Sequence, residues 1–123
     1  MRGYTVATVA LALDVPVKWI DNTLSHHRVP GVVQARQGIP RRLTSEAVVV
    51  LETALRLIRS LEIPTARALR IAHELAATGE SRHSTGMCEV WLDIAQVRTA
   101  MSSRLAYAVE ISPVPRRGRP RGR

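Results

Sequence analysis

The chain has 123 residues, 46% of them hydrophobic, with no Phe and only two Trp and two Tyr. That length favours one compact domain with appended elements, and a core of Leu, Val, Ile and Ala favours helices. Of the 18 basic residues five (Arg116, Arg117, Arg119, Arg121 and Arg123) lie in the last eight positions; the other 13 face 10 acidic residues, so the body holds only +3 of the net +8. A basic tail on a near-neutral body points to a polyanionic partner. The single Cys88 excludes an intramolecular disulfide, and no Cys/His spacing suits zinc. The N-terminus lacks a signal-peptide layout and no apolar run is long enough to span a bilayer, so a cytoplasmic, bacterial-type protein associated with the nucleoid is expected.

In chain order, Val6, Val9, Ala10 and Leu13 recur at helical spacing within Tyr4–Leu13, with Thr5 as N-cap and an end near Asp14. Pro16 suits the first turn of a second helix, from about Pro16 to Leu24. Val17, Ile20 and Leu24 should be buried there, and Lys18, Asp21, Asn22 and Ser25 should face outward. Two short helices joined by a tight turn form a helix-turn-helix. From Val32 to Leu43 the pattern changes to β-formers with Gln37-Gly38 at a hairpin tip, predicting a two-stranded ribbon with Arg36 at its tip and Arg41-Arg42 on the return.

Thr44-Ser45-Glu46 opens a long helix with a broad apolar face, with Glu52 and Arg56 as an i,i+4 pair on the other side. Pro64 ends that pattern, and a shorter helix follows from about Thr65 to Ala77, stopped at Gly79. Glu80–Gly86 reads as a loop. Cys88–Leu92 alternates as one short strand, and Asp93 caps a last helix, roughly Ile94 to Val109. Beyond Pro113 the composition of Pro, Gly and Arg predicts disorder in the free chain.

Three segments carry a family resemblance. Tyr4-Thr5-Val6-Ala7-Thr8-Val9-Ala10-Leu11-Ala12-Leu13-Asp14-Val15 resembles the opening of the MerR-like winged helix-turn-helix family. Arg41-Arg42-Leu43-Thr44 is similar to the end of that family's wing, and Leu61-Glu62-Ile63-Pro64 to the turn between its third and fourth helices. The resemblance spans roughly Tyr4 to Leu75. It implies a mainly α fold: a winged helix-turn-helix with a two-stranded wing, followed here by a short strand and a C-terminal helix. It further implies a homodimer on double-stranded DNA, with the second helix in the major groove. Lys18 matches the basic residue opening the recognition helix, and Arg41 and Arg42 match the wing's phosphate-contacting pair. Asp21 and Asn22 depart from the family, which usually has a basic residue and an aromatic at these two positions.

The residues themselves point the same way. Lys18, Arg36, Arg41 and Arg42 would supply sequence-independent phosphate contacts, Asn22 can pair with adenine, and His26 can reach a base or phosphate. Arg117-Gly118-Arg119-Pro120 is similar to an AT-hook core, in which arginines enter a narrow A·T minor groove; Arg117, Arg119 and Arg121 are the candidates. The expected organisation is residues 1–79 as DNA-binding domain, 80–112 as a strand–helix dimerisation element and 113–123 as a disordered tail. Trp91, Ile94, Val97, Met101 and Leu105 are the expected dimer seam, and the strand would pair with the wing or with its copy across a two-fold axis. No cofactor or metal is expected, since Cys88 and His83 are too few ligands. No Ser/His/Asp order, phosphate loop or carboxylate pair signals an enzyme. Transcriptional regulation is the leading reading. An excisionase-like architectural protein and an antitoxin-type repressor whose C-terminal third binds a protein partner are the alternatives.

Overall fold

A computed structural model describes residues 3–34 and 38–112. Strand β1 (Tyr4–Thr5) leads into α1 (Val6–Leu13), where the Thr5 hydroxyl accepts from the Thr8 N–H at 3.1 Å. The helix stops at Asp14, which adopts the left-handed conformation (φ 58°). The Asp14 N–H donates to Leu11 O at 3.3 Å and the Val15 N–H to Ala10 O at 3.1 Å. These paired bonds close the last turn as a Schellman motif, so a sharp, hydrogen-bonded corner leads to the next helix. Pro16 is extended and stands just outside α2 (Val17–His26), where its missing N–H costs nothing.

Helix α2 buries Ile20 and Thr23 and half-buries Trp19 and Leu24. Val17, expected in the core, is 44% exposed. As the first helical residue it opens onto a shallow cleft with Leu11 at the outer side of the α1–α2 corner. Lys18, Asn22 and Ser25 face solvent as expected, while Asp21 is half-buried.

The expected ribbon is present at its base as β2 (Val32–Val33) and β3 (Arg42–Leu43), but it has a third member. β3 lies between β1 and β2, with Tyr4 and Val32 both opposite Leu43, and Thr5 and Val33 opposite Arg42. Tyr4 and Thr5 are thus strand residues and not the start of the helix. Alternation turns Leu43 into the core and Arg42 outward.

Thr44 caps α3 (Ser45–Leu61) by accepting from the Ala47 N–H at 3.1 Å, and left-handed Glu62 ends it. Pro64 precedes α4 (Thr65–Thr78), which terminates on Gly79 (φ 76°). Helix α3 is the central element, packing against α4 on one side and α5 (Ile94–Ile111) on the other, with α5 also lying against α1.

Three expectations about the C-terminal third are corrected. Arg82–Ser84 is not loop but β4, paired antiparallel with β5 (Glu89–Trp91), so the strand finds its partner within its own chain. β5 is therefore not the solitary strand that was expected to need the wing or a second copy; the Thr85–Cys88 turn, closed by Thr85 N–H to Cys88 O at 2.8 Å, joins the two strands. The stripe Ile94, Val97, Met101 and Leu105, expected as a dimer seam, is at most 3% exposed within the single chain. Helix α5 spends that face on α1 and α3, leaving only Trp91 of the expected seam at the surface. Glu52, expected on an outer face, is buried because α5 covers that side of α3; it accepts from Arg56 at 2.8 Å and lies 3.6 Å from Arg104.

Candidate nucleic-acid interface

Helix α2 presents Lys18, Asn22, Ser25 and His26 on its exposed side, because Ile20 and Thr23 hold the opposite side in the core. His26 Nδ1 donates to the Asn22 carbonyl at 2.8 Å, which anchors the ring, and Nε2 has no partner among the described residues. The Asn22 side-chain amide has no hydrogen-bond partner among the described residues and is exposed, so both its donor and acceptor remain available.

A side chain at the foot of the ribbon reaches this helix. Arg41 reaches Asp21 Oδ1 at 3.5 Å and Ser25 Oγ at 3.4 Å, and is only 25% exposed. Arg41, the residue just before β3 and one of those expected at a phosphate, turns its guanidinium toward α2, where Asp21 and Ser25 engage it. Arg42, on the outward side of β3, is exposed. Asp21, the one acidic residue of α2, is the counter-charge for Arg41. Its negative charge was the visible signal, but the contact crosses 20 positions of sequence.

Arg28, just beyond α2, is a further exposed cation that sequence reading did not single out; it lines a cavity against α4. The surface formed by α2 and the foot of the ribbon therefore carries Lys18 and Arg42 as cations with no ion-pair partner among the described residues, Asn22 and His26 as hydrogen-bonding groups, and Arg41–Asp21 as an internal brace. Arg36, expected at the ribbon tip, and Arg117, Arg119 and Arg121 of the tail lie outside the described residues.

The last described residue is fixed near the start of the chain. The Thr8 hydroxyl donates to Ser112 Oγ at 3.0 Å while accepting from the Thr5 hydroxyl at 3.0 Å. The C-terminal end of α5 is thus held at the first turn of α1.

The C-terminal hairpin has a different surface. Trp91 is 68% exposed, with the Arg82 guanidinium 5.5 Å from its ring centre. Cys88 is exposed, and His83 is engaged by Glu74 at 2.7 Å rather than by a shared metal site. Among the described residues no group of three or more His, Cys, Asp or Glu is arranged to hold a metal ion. No described helix is long and apolar enough to cross a membrane. No family profile, curated protein or solved structure matches the chain.

Proposed function

We propose that the chain binds double-stranded DNA in a sequence-specific manner as a winged helix-turn-helix protein and acts in transcriptional regulation. The observation that carries this reading is the Arg41 brace to Asp21 and Ser25, which makes the exposed side of α2 and the outward side of β3 one surface. A helix that enters a major groove needs a second element held rigidly against the flanking backbone to fix its register. In this reading Lys18 and Arg42 neutralise phosphates, Asn22 reads a base edge and His26 donates or accepts at the groove rim. The Arg-rich tail follows from Ser112, rooted at the start of α1, and inserts into an adjacent A·T-rich minor groove.

Pairing of two copies on a two-fold site belongs to the same proposal, with the contact made by surfaces other than the buried α5 stripe. The exposed hairpin favours a second reading of the C-terminal third. Met87 is fully exposed and Trp91 largely so, and such side chains suit a protein partner.

Selection of bound duplexes from a random pool by the purified chain, at two salt concentrations, tests the proposal. Recovery of a defined motif whose central bases lose selectivity in Asn22→Ala is the expected result. Recovery of sequence-blind, salt-sensitive binding alone would overturn specific regulation and leave an architectural role.

A further inference from the structure

A cavity of about 450 Å³ lies on another side of α2, between its C-terminal exit, the turn into β2, and the first half of α4. Its floor is apolar: Val29, Val50 and Leu69 are each 6% exposed or less. Its rim is entirely basic or imidazole in its polar groups, with His27 and Arg28 on one wall and Arg70 and His73 on the other. Neither Arg28 nor Arg70 has an ion-pair partner among the described residues. The two carboxylates near His73 are already engaged. Glu46 is held by Arg98 through bonds of 2.7 and 2.8 Å, and Glu74 by His83 at 2.7 Å.

We propose that this cavity binds a small amphipathic organic anion, its hydrocarbon on Val29, Val50 and Leu69 and its carboxylate between Arg28 and Arg70. The volume falls within the range of small-molecule sites, roughly 300–1,000 Å³, which combine apolar walls with a few converging polar groups. Charge complementarity selects the class. Two unpaired guanidiniums match a carboxylate's geometry, while a cationic ligand, or this chain's own Arg-rich tail, is repelled by them. A nucleic-acid backbone would satisfy the arginines but has no hydrocarbon for the concave floor, whereas an amphipathic carboxylate satisfies both. The ligand would join α4 to the segment that carries α2 into the ribbon, a segment already tied to α3 through Thr44 N–H to Gly31 O at 2.9 Å.

The test is calorimetric titration of octanoate into the whole chain without DNA, with backbone amide NMR shifts recorded alongside. Saturable one-to-one binding is expected, with shifts centred on His27–Gly31 and Ala66–His73. Octanol and octylamine should bind at least about tenfold more weakly, and Arg70→Ala and Arg28→Ala should each cost octanoate about tenfold or more, as expected for a charge-assisted contact. Ala66→Trp, at an exposed position on the cavity wall, should abolish binding with the circular dichroism spectrum unchanged. Equal affinity for octanol, shifts centred elsewhere, or no saturable binding of octanoate would overturn the proposal. So would arginine variants that weaken duplex binding and leave octanoate untouched, which would assign the rim to phosphates instead. Because the titration contains no DNA, its failure is separable from failure of the DNA-binding reading.

Discussion

Thr53 is wholly buried in the middle of α3, and its hydroxyl has no hydrogen-bond partner among the described residues. A buried hydroxyl without a partner costs about 1–3 kcal/mol of desolvation, and valine has nearly the same shape without that cost. Thr53→Val should therefore stabilise the chain by about 1 kcal/mol, raising the melting temperature by several degrees. Thermal unfolding followed by circular dichroism checks it, and an unchanged or lower midpoint would mean that the hydroxyl is satisfied in solution. Gly31 has the opposite character. Its φ is 91°, and a Cβ there would fall 2.4 Å from the Thr44 hydroxyl that caps α3 and 3.1 Å from Ala47 Cβ. Gly31→Ala meets both left-handed strain and a collision with a helix cap, so destabilisation of about 2 kcal/mol or more is expected in the same measurement. Gly38 is also left-handed but has nothing within 4 Å, so alanine there should cost only the backbone strain, roughly 1 kcal/mol.

At the scale of elements, Arg98 of α5 fastens three helices together. It forms a two-pronged pair with Glu46 in the first turn of α3 and donates to the Ala76 carbonyl of α4 at 2.9 Å. The hydrogen bonds from Arg98 hold the Glu46 carboxyl below its ordinary value of 4.5, partial burial opposes this, and the charges of Arg98 and His73 add to the lowering. A depressed folded-state pKa gives stability that is fully present above about pH 4.5 and is lost as the pH falls through the lower folded value. Both side chains are more than a third exposed, which limits the pair to about 0.5–1 kcal/mol. Arg98→Gln should thus melt earlier than the parent at pH 7, and the gap should narrow at pH 3. A gap of constant size across that range would show that only packing and the Ala76 bond were lost.

The boundaries of these elements were legible in the sequence because capping is local. Thr5, Thr44 and Asp93 each accept from an N–H three residues on, and Pro64 and Gly79 punctuate the backbone by themselves. What was not legible depends on partners distant in sequence. Periodicity marked Ile94, Val97, Met101 and Leu105 as one apolar face but could not say that α1 and α3, rather than a second copy, would cover it. Likewise Glu52 looked like an outer residue until α5 brought Arg104 to it, and Arg82–Ser84, poor in β-formers, became a strand only because β5 pairs with it. In the candidate site the outward Lys18, Asn22 and Ser25 of α2 followed from helix period. The Arg41 brace did not, because it joins two elements through a tertiary contact.

For the whole molecule, charge is divided between a folded body and a tail rooted beside α1. Five arginines follow Ser112, and the Ser112 side chain is held by Thr8. If the folded surface and the tail engage one stretch of duplex, each supplies phosphate contacts, and the dependence of log affinity on log salt concentration steepens by about 0.9 per phosphate neutralised. Ending the chain at Ser112 should therefore flatten that slope by up to about four, with the largest loss of affinity at low salt. Base preference under α2 should survive, while preference for A·T-rich flanks should disappear. A tail peptide added separately should not restore affinity at equal concentration, since tethering supplies an effective concentration in the millimolar range for a short linker. Fluorescence anisotropy on one labelled duplex across a salt series measures all three quantities. An unchanged slope after truncation would mean that the arginines do not touch the bound DNA. A flattened slope that the free peptide fully restores would mean that tail and folded body act on separate sites, and that the Thr8–Ser112 contact has no part in placing the tail.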